Sequence, residues 1–189
     1  MMTAERDNER PILVVAATNR PGALAQIVAN YYVSILEKER KKARLLSLNR
    51  LEPDFMAKAL YANKGKDPAF NTLAQEIEEA KKMVFVVPQY NGSFPGVLKT
   101  FIDGLRVGAE DKGEVFRYKK CALVGVSKGS QGNILGLSHL TDILEYLGMQ
   151  VLPMKGYLCC IGSPSMEAFE AHPSYLRFLQ EQAKHFILF

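Results

Sequence analysis

Three short segments of this chain combine residue types that can hold an anionic, planar small molecule. The first is Ala17-Thr18-Asn19-Arg20-Pro21-Gly22-Ala23-Leu24, where an apolar run hands over to an amphipathic one. The free N–H groups of a helix start, with the partial positive charge of its dipole, suit a phosphate monoester. Thr18 can donate a hydroxyl hydrogen bond, Arg20 can pair with a dianion, and Gly22 lets the backbone come close. The N–H groups of Gly22, Ala23 and Leu24 complete that cradle. A plain Pro-Gly turn with Arg20 in solvent serves the same residues equally well, and the segment is neither a Walker A motif nor a spaced G-x-G-x-x-G.

The second segment is Pro88-Gln89-Tyr90-Asn91-Gly92-Ser93-Phe94-Pro95-Gly96. A surface turn needs Asn91-Gly92 but not a tyrosine beside them. Tyr90 is suited to lie against a flat ring, with Pro88, Gln89 and Asn91 at its polar edge. The competing reading makes Tyr90 a core or subunit-contact aromatic. The third segment, Ser127-Lys128-Gly129-Ser130-Gln131-Gly132-Asn133, is small and glycine-rich. It can form a concavity of N–H groups that stabilises negative charge on a bound ring, with Lys128 adding to it or standing in solvent.

These segments need a scaffold that brings them together. Residues 12–17, 43–48, 83–87, 122–126 and 151–154 are short apolar runs of strand type. Between them, helical spacing recurs through Leu24, Ile27, Val28 and Tyr31, through Leu73 and Ile77, through Val97, Leu98, Phe101 and Ile102, and through Ile134, Leu137, Leu140 and Leu144. A last amphipathic stripe runs from Tyr175 to Phe186. Strands alternating with helices imply a parallel sheet covered on both faces, and ligands bind such sheets beyond the carboxyl ends of the strands. All three segments leave those ends. Residues 49–70 read as a long irregular loop; this loop and the C-terminal helix are candidates for subunit contacts or for completing the core.

The chain has 189 residues, enough for a single domain, with residues 1–10 as a charged extension lacking the apolar core of a signal peptide. Lys plus Arg number 24 against 20 Asp plus Glu, an excess too small and scattered to indicate nucleic acid. No apolar run is long enough to cross a membrane. Cys121, Cys159 and Cys160 make a poor disulfide framework, which points to the cytoplasm. Cys159 and Cys160 have no arginine at phosphatase-loop spacing and read as buried thiols. His139, His172 and His185 show no metal-ligand spacing, so no metal is expected.

Together the three segments resemble the NADPH-dependent FMN reductase family, which includes quinone, chromate and azo-dye reductases, over roughly residues 11–155. The most specific stretch is Pro88-Gln89-Tyr90-Asn91-Gly92-Ser93-Phe94-Pro95-Gly96-Val97-Leu98-Lys99, followed by Ile102-Asp103. It is similar to the family's Pro-Glu-Tyr-Asn-x-Ser-x-Pro-Gly-x-Leu-Lys, then Ile-Asp, with Gln89 in place of Glu and Gly104 where a large aromatic often sits. The first segment is similar to Gly-Ser-x-Arg-x-x-Ser, with Ala17 and Ala23 replacing the Gly and the second Ser. The resemblance implies a flavodoxin-like three-layer α/β sandwich, its five-stranded parallel sheet in order 2-1-3-4-5. It implies FMN held by Thr18, Arg20 and residues 22–24, with the ring bordered by residues 88–92 and by Ser127, Lys128, Gly129 and Gly132. It further implies NADPH or NADH as hydride donor, a small acceptor such as a quinone, azo dye, chromate or free flavin, ping-pong turnover, no side-chain catalyst, and a homodimer or homotetramer. Two other readings remain at this stage: a flavodoxin-like binding or regulatory protein that has lost FMN, and a one-electron carrier, which the basic balance disfavours.

Overall fold

A strand inside a parallel sheet must be apolar on both faces, and several runs here meet that demand. The computed structural model describes residues 10–58, 66–108 and 115–189. In it β1 (Ile12–Ala16) is buried at every position and lies between β2 (Ala43–Ser47) and β3 (Lys82–Pro88). β3 pairs along its full length with β4 (Lys120–Val126), from Lys82↔Lys120 to Pro88↔Val126. Among the described residues every strand pairing is parallel, and the order β2-β1-β3-β4-β5 matches the expected topology.

The fifth position departs from the expected single strand over 151–154. It consists of β5 (Gln150–Val151) and β6 (Gly156–Leu158), each pairing with β4. Pro153 lies between them and has no N–H to give to the ladder, which accounts for the break.

Alternation along β1 sends Leu13 and Val15 to one face of the sheet and Ile12, Val14 and Ala16 to the other. The first face is covered by α2 (Pro68–Glu79), α3 (Gly96–Gly108) and α4 (Ile134–Tyr146), through Leu73, Ile77, Leu98, Phe101, Leu137 and Leu140. The second face is covered by α1 (Leu24–Lys38), the short α5 (Met166–Glu170) and α6 (Pro173–Leu188), through Val28, Tyr32, Phe169, Leu179 and Phe186.

Two segments expected as possible subunit contacts complete this chain's own core. In the 49–70 stretch, one-turn helices at Leu48–Arg50 and Phe55–Ala57 seat Leu51 and Phe55 inside. Phe55 stacks on Phe70 at 5.4 Å, and Phe70 meets Phe101 edge-on at 5.6 Å. Asp67 caps α2 by accepting from the Phe70 N–H at 3.0 Å, and this bond, with Lys58 beside it, holds the Asp67 carboxyl below the ordinary range. In α6, Leu179, Ala183 and Phe186 are fully buried. Residues 59–65 and most of the charged extension fall outside the described residues.

The edge where strands begin is basic for a local reason. Right-handed crossovers bring helix C-termini to this edge, and unpaired carbonyls there attract cations. Lys82 Nζ donates to Phe186 O at 3.2 Å and Ile187 O at 2.9 Å, and Lys120 Nζ donates to Phe189 O. Lys119 Nζ donates to Ile77 O at 2.6 Å and Glu78 O at 2.8 Å, at the end of α2. Burial pushes the Lys119 ammonium down to about 8. The positive charge of the composition is therefore partly spent on helix ends, away from the edge where the three segments meet.

Candidate functional site

The turn after β1 is built to leave a helix end open. Gly22 has φ +63° with open space around its α-carbon, a conformation that favours glycine. Ala23 is the N-cap of α1 and no side chain caps the first turn, so its N–H groups are left to other acceptors. Thr18, by contrast, is buried. Its hydroxyl accepts the Arg20 N–H at 3.1 Å and lies 2.9 Å from the Tyr90 hydroxyl. It sits behind the cleft wall and links two of the three segments.

The turn at residues 90–93 shows why Asn-Gly stands there. Tyr90 and Ser93 exchange both backbone hydrogen bonds, at 2.8 and 3.0 Å. Asn91 (φ 50°) and Gly92 (φ 81°) take the two left-handed positions that such a two-residue turn demands. Closing the turn this way leaves Tyr90 partly exposed at its base.

The third segment is fastened from several sides. Ser127 Oγ donates to Gly129 O at 2.8 Å and accepts the Gly132 N–H at 3.0 Å, while Ser127 N–H goes to Leu158 O. The expected nest of N–H groups therefore loses two donors, those of Ser127 and Gly132, to the protein itself. Gly132 (φ +54°) packs so closely on β6 that a Cβ there would meet the Tyr157 carbonyl carbon at 2.7 Å. Buried Asn133, in left-handed conformation, reaches back with Nδ2 to Val87 O at 3.3 Å and Pro88 O at 3.2 Å. That bond ties the second and third segments, and its signal in the sequence was no more than an Asn at a helix start.

These fastenings enclose a cleft of about 420 Å³ at the carboxyl edge of the sheet. Its walls are Arg20 to Leu24 of the first segment without Pro21, Pro88 to Asn91 of the second, and Val126 to Gly129 around the third, with Pro164 from the loop after β6. Of the residues singled out in the sequence as binding residues, all but Thr18, Gly92 and Gly132 line it. Val126 and Pro164 were not foreseen; Pro164 belongs to a loop with no local motif. Arg20 and Lys128 face the cleft and, among the described residues, no carboxylate does, so its electrostatics favour an anion. Size and lining suit a phosphorylated, flat-ringed molecule such as FMN.

Cys159 is half-buried and Cys160 exposed, against the expectation of buried thiols; Cys121 alone is fully buried, which pushes its thiol up to about 12. The pair follows β6, which ends at Leu158 at the edge of the sheet. The neighbouring Cys159 thiol raises Cys160 above the ordinary thiol range. His139 is exposed, its ring 5.3 Å from that of Phe94. Among the described residues no group of three or more His, Cys, Asp or Glu could hold a metal, and no helix is long and apolar enough to cross a membrane.

A doubly wound parallel sheet in this order, with an anion-favouring cleft at its carboxyl edge, defines the flavodoxin-like class. The model of the NADPH-dependent FMN reductase family matches residues 11–159, and the chain belongs to that family. It is 30% identical over 123 residues to an NAD(P)H-dependent FMN reductase of Pseudomonas aeruginosa, an overlap covering 65% of this chain and 62% of that protein. It is 34% identical over 79 residues to a 2-hydroxy-1,4-benzoquinone reductase of a Burkholderia species, covering 41% and 42% of the two chains. The chain thus spans less than two thirds of each of these relatives. In fold it is similar to the NADH:FMN oxidoreductase EMOB (TM-score 0.74, 18% identity, 95% of this chain and 89% of that one). It is likewise similar to the flavoenzyme FerB of Paracoccus denitrificans (TM-score 0.67, 20% identity, 94% and 95%).

Proposed function

We propose that this chain is an FMN-dependent NAD(P)H oxidoreductase that passes two electrons to a small acceptor, a quinone being the first to test. The observation that carries the reading is the cleft itself: an uncapped helix start and Arg20 at one end, Tyr90 and the Gly129 turn at the other, and no carboxylate among the described lining residues. A protein that had lost the cofactor has no use for a cleft of this size kept open between three fastened loops. Family membership and the names of the relatives support the same conclusion.

In this reading Arg20 and the N–H groups of residues 22–24 hold the phosphate dianion. Thr18 acts through Arg20 and Tyr90, fixing the backbone of the one and the hydroxyl of the other. Tyr90, with Pro88, Gln89 and Asn91, borders one side of the ring, and Gly92 shapes the turn behind them. Ser127, Lys128 and Gly129 form the other, with Lys128 supplying positive charge near it and Gly132 fastening the loop from behind. When bound, FMN would supply the redox chemistry, two-electron transfer between NAD(P)H and the acceptor, with ping-pong turnover expected. No side chain is assigned as nucleophile, acid or base. The chain works as one domain, in the cytoplasm, as a homodimer or homotetramer, without a nucleic-acid or membrane partner.

The test is anaerobic titration of FMN-loaded protein with NADPH and, separately, NADH. Loss of the oxidised-flavin band, and its return on adding a benzoquinone, is the expected result. FMN uptake with no reduction by either nicotinamide contradicts the enzyme reading.

A further inference from the structure

We propose that Cys159 and Cys160 form a two-thiolate site for a soft monovalent d10 cation of the Cu(I) type, at the rim beside the cleft. Both thiols are free, Cys160 is exposed and Cys159 half-buried. Cys160 has φ 58°, and its N–H is stapled to Gly129 O at 2.9 Å, so the pair is fixed against the third segment. The thiols belong to consecutive residues, and the Cys159 thiol is near enough to raise that of Cys160 above the ordinary range. Adjacent α-carbons across a trans peptide are about 3.8 Å apart. A disulfide usually spans roughly 4.4–6.8 Å, so oxidative closure of this pair is strained and the thiols remain available.

Tyr175 supports the same function. Its hydroxyl lies 3.2 Å from Cys159 Sγ, accepts the Cys159 N–H at 3.2 Å and donates to Cys159 O at 3.0 Å. Once the thiol proton is lost, this O–H can turn from Cys159 O to the sulfur anion 3.2 Å away. Ligand count decides the class of ion. Zinc needs three or four ligands, and among the described residues no third His, Cys, Asp or Glu joins the pair. Two thiolates alone select a soft ion. Binding forms two Cu–S bonds, breaks two S–H bonds, releases two protons to solvent and transfers no electron.

Neither cysteine lines the cleft, so the site is tested without FMN and its failure is separate from any failure of the flavin reading. Reduced full-length protein is titrated with Cu(I) under nitrogen against the chromogenic chelator bicinchoninate. The expected result is one Cu(I) per chain in the wild type and in Cys121→Ser, whose thiol is buried. In Cys160→Ser and Cys159→Ser affinity falls at least the roughly 100-fold that loss of even an outer-shell partner can cost. Cys160→Ser, at an exposed position, keeps the test open if Cys159→Ser disturbs the Tyr175 contacts and fails to fold. Retention unchanged in Cys160→Ser, retention lost in Cys121→Ser, or full surrender of Cu(I) by the wild type each overturns the proposal.

Discussion

The hydroxyls of Thr18 and Tyr90 lie 2.9 Å apart, joining two loops that are 72 residues apart in the chain. One comes from the end of β1 and the other from the end of β3, so the bond sets the spacing between the two ends of the cleft. Replacing Tyr90 by Phe removes the bond and little else, while replacing Thr18 by Val also takes the acceptor from the Arg20 N–H. Each variant is expected to loosen FMN, and the double variant to lose less than the sum. The coupling should be about 0.5–1.5 kcal/mol, the net worth of one partly buried neutral hydrogen bond. Fluorescence titration of FMN against the four proteins measures it, and strict additivity would mean the bond does not organise the site.

Arg20 is read as pairing with the phosphate, which separates FMN from riboflavin. Arg20→Ala is expected to weaken FMN about 10- to 100-fold, the loss of a hydrogen bond to a charged group, and to leave riboflavin affinity unchanged. An equal loss for both ligands would place Arg20 elsewhere than at the phosphate.

Ala23 occupies the N-cap of α1 without a side-chain acceptor for the first-turn N–H groups. Ala23→Ser supplies one and is expected to raise stability by about 1 kcal/mol in the ligand-free protein, measured by urea unfolding. The same hydroxyl can donate to a phosphate, so FMN should bind more tightly as well. Gain in stability with loss of FMN affinity would show the cap competing with the ligand for those N–H groups.

Lys119 makes stability depend on alkaline pH. Its folded value is pushed down to about 8 by burial, below that of the free side chain at about 10.4. Between these values the unfolded chain binds more protons than the folded one, so this group's contribution rises with pH through that window. In Lys119→Met the contribution is absent. The stability difference, wild type minus variant, should therefore grow from pH 8 to pH 10 in denaturant titrations; a flat or falling difference would contradict the assignment.

Much of the site was legible because its chemistry is local. An uncapped Pro-Gly helix start, an Asn-Gly turn and a glycine-rich turn each announce themselves within a few residues, and their loops do line one cleft. What escaped depends on distance. Nothing near Asn133 says that its amide will reach Val87 O and Pro88 O, and nothing near Pro164 says that it closes a wall. Thr18 was read as a ligand donor, yet the Tyr90 hydroxyl that engages it comes from another loop. The break between β5 and β6 was readable, since Pro153 cannot join a ladder, but apolar content alone favoured a single strand. The Cys159–Cys160 pair was misjudged as buried because cysteine's apolar character says nothing about its place on a sheet edge.

The central claim is that a flavin mononucleotide lies with its phosphate at the first turn of α1 and its ring between Tyr90 and Gly129. A crystal structure of the protein grown in excess FMN tests it most directly. The account predicts phosphate oxygens within hydrogen-bond distance of Arg20 and the N–H groups of residues 22–24. FMN bound elsewhere, or the cleft closed by the protein's own side chains, would contradict it.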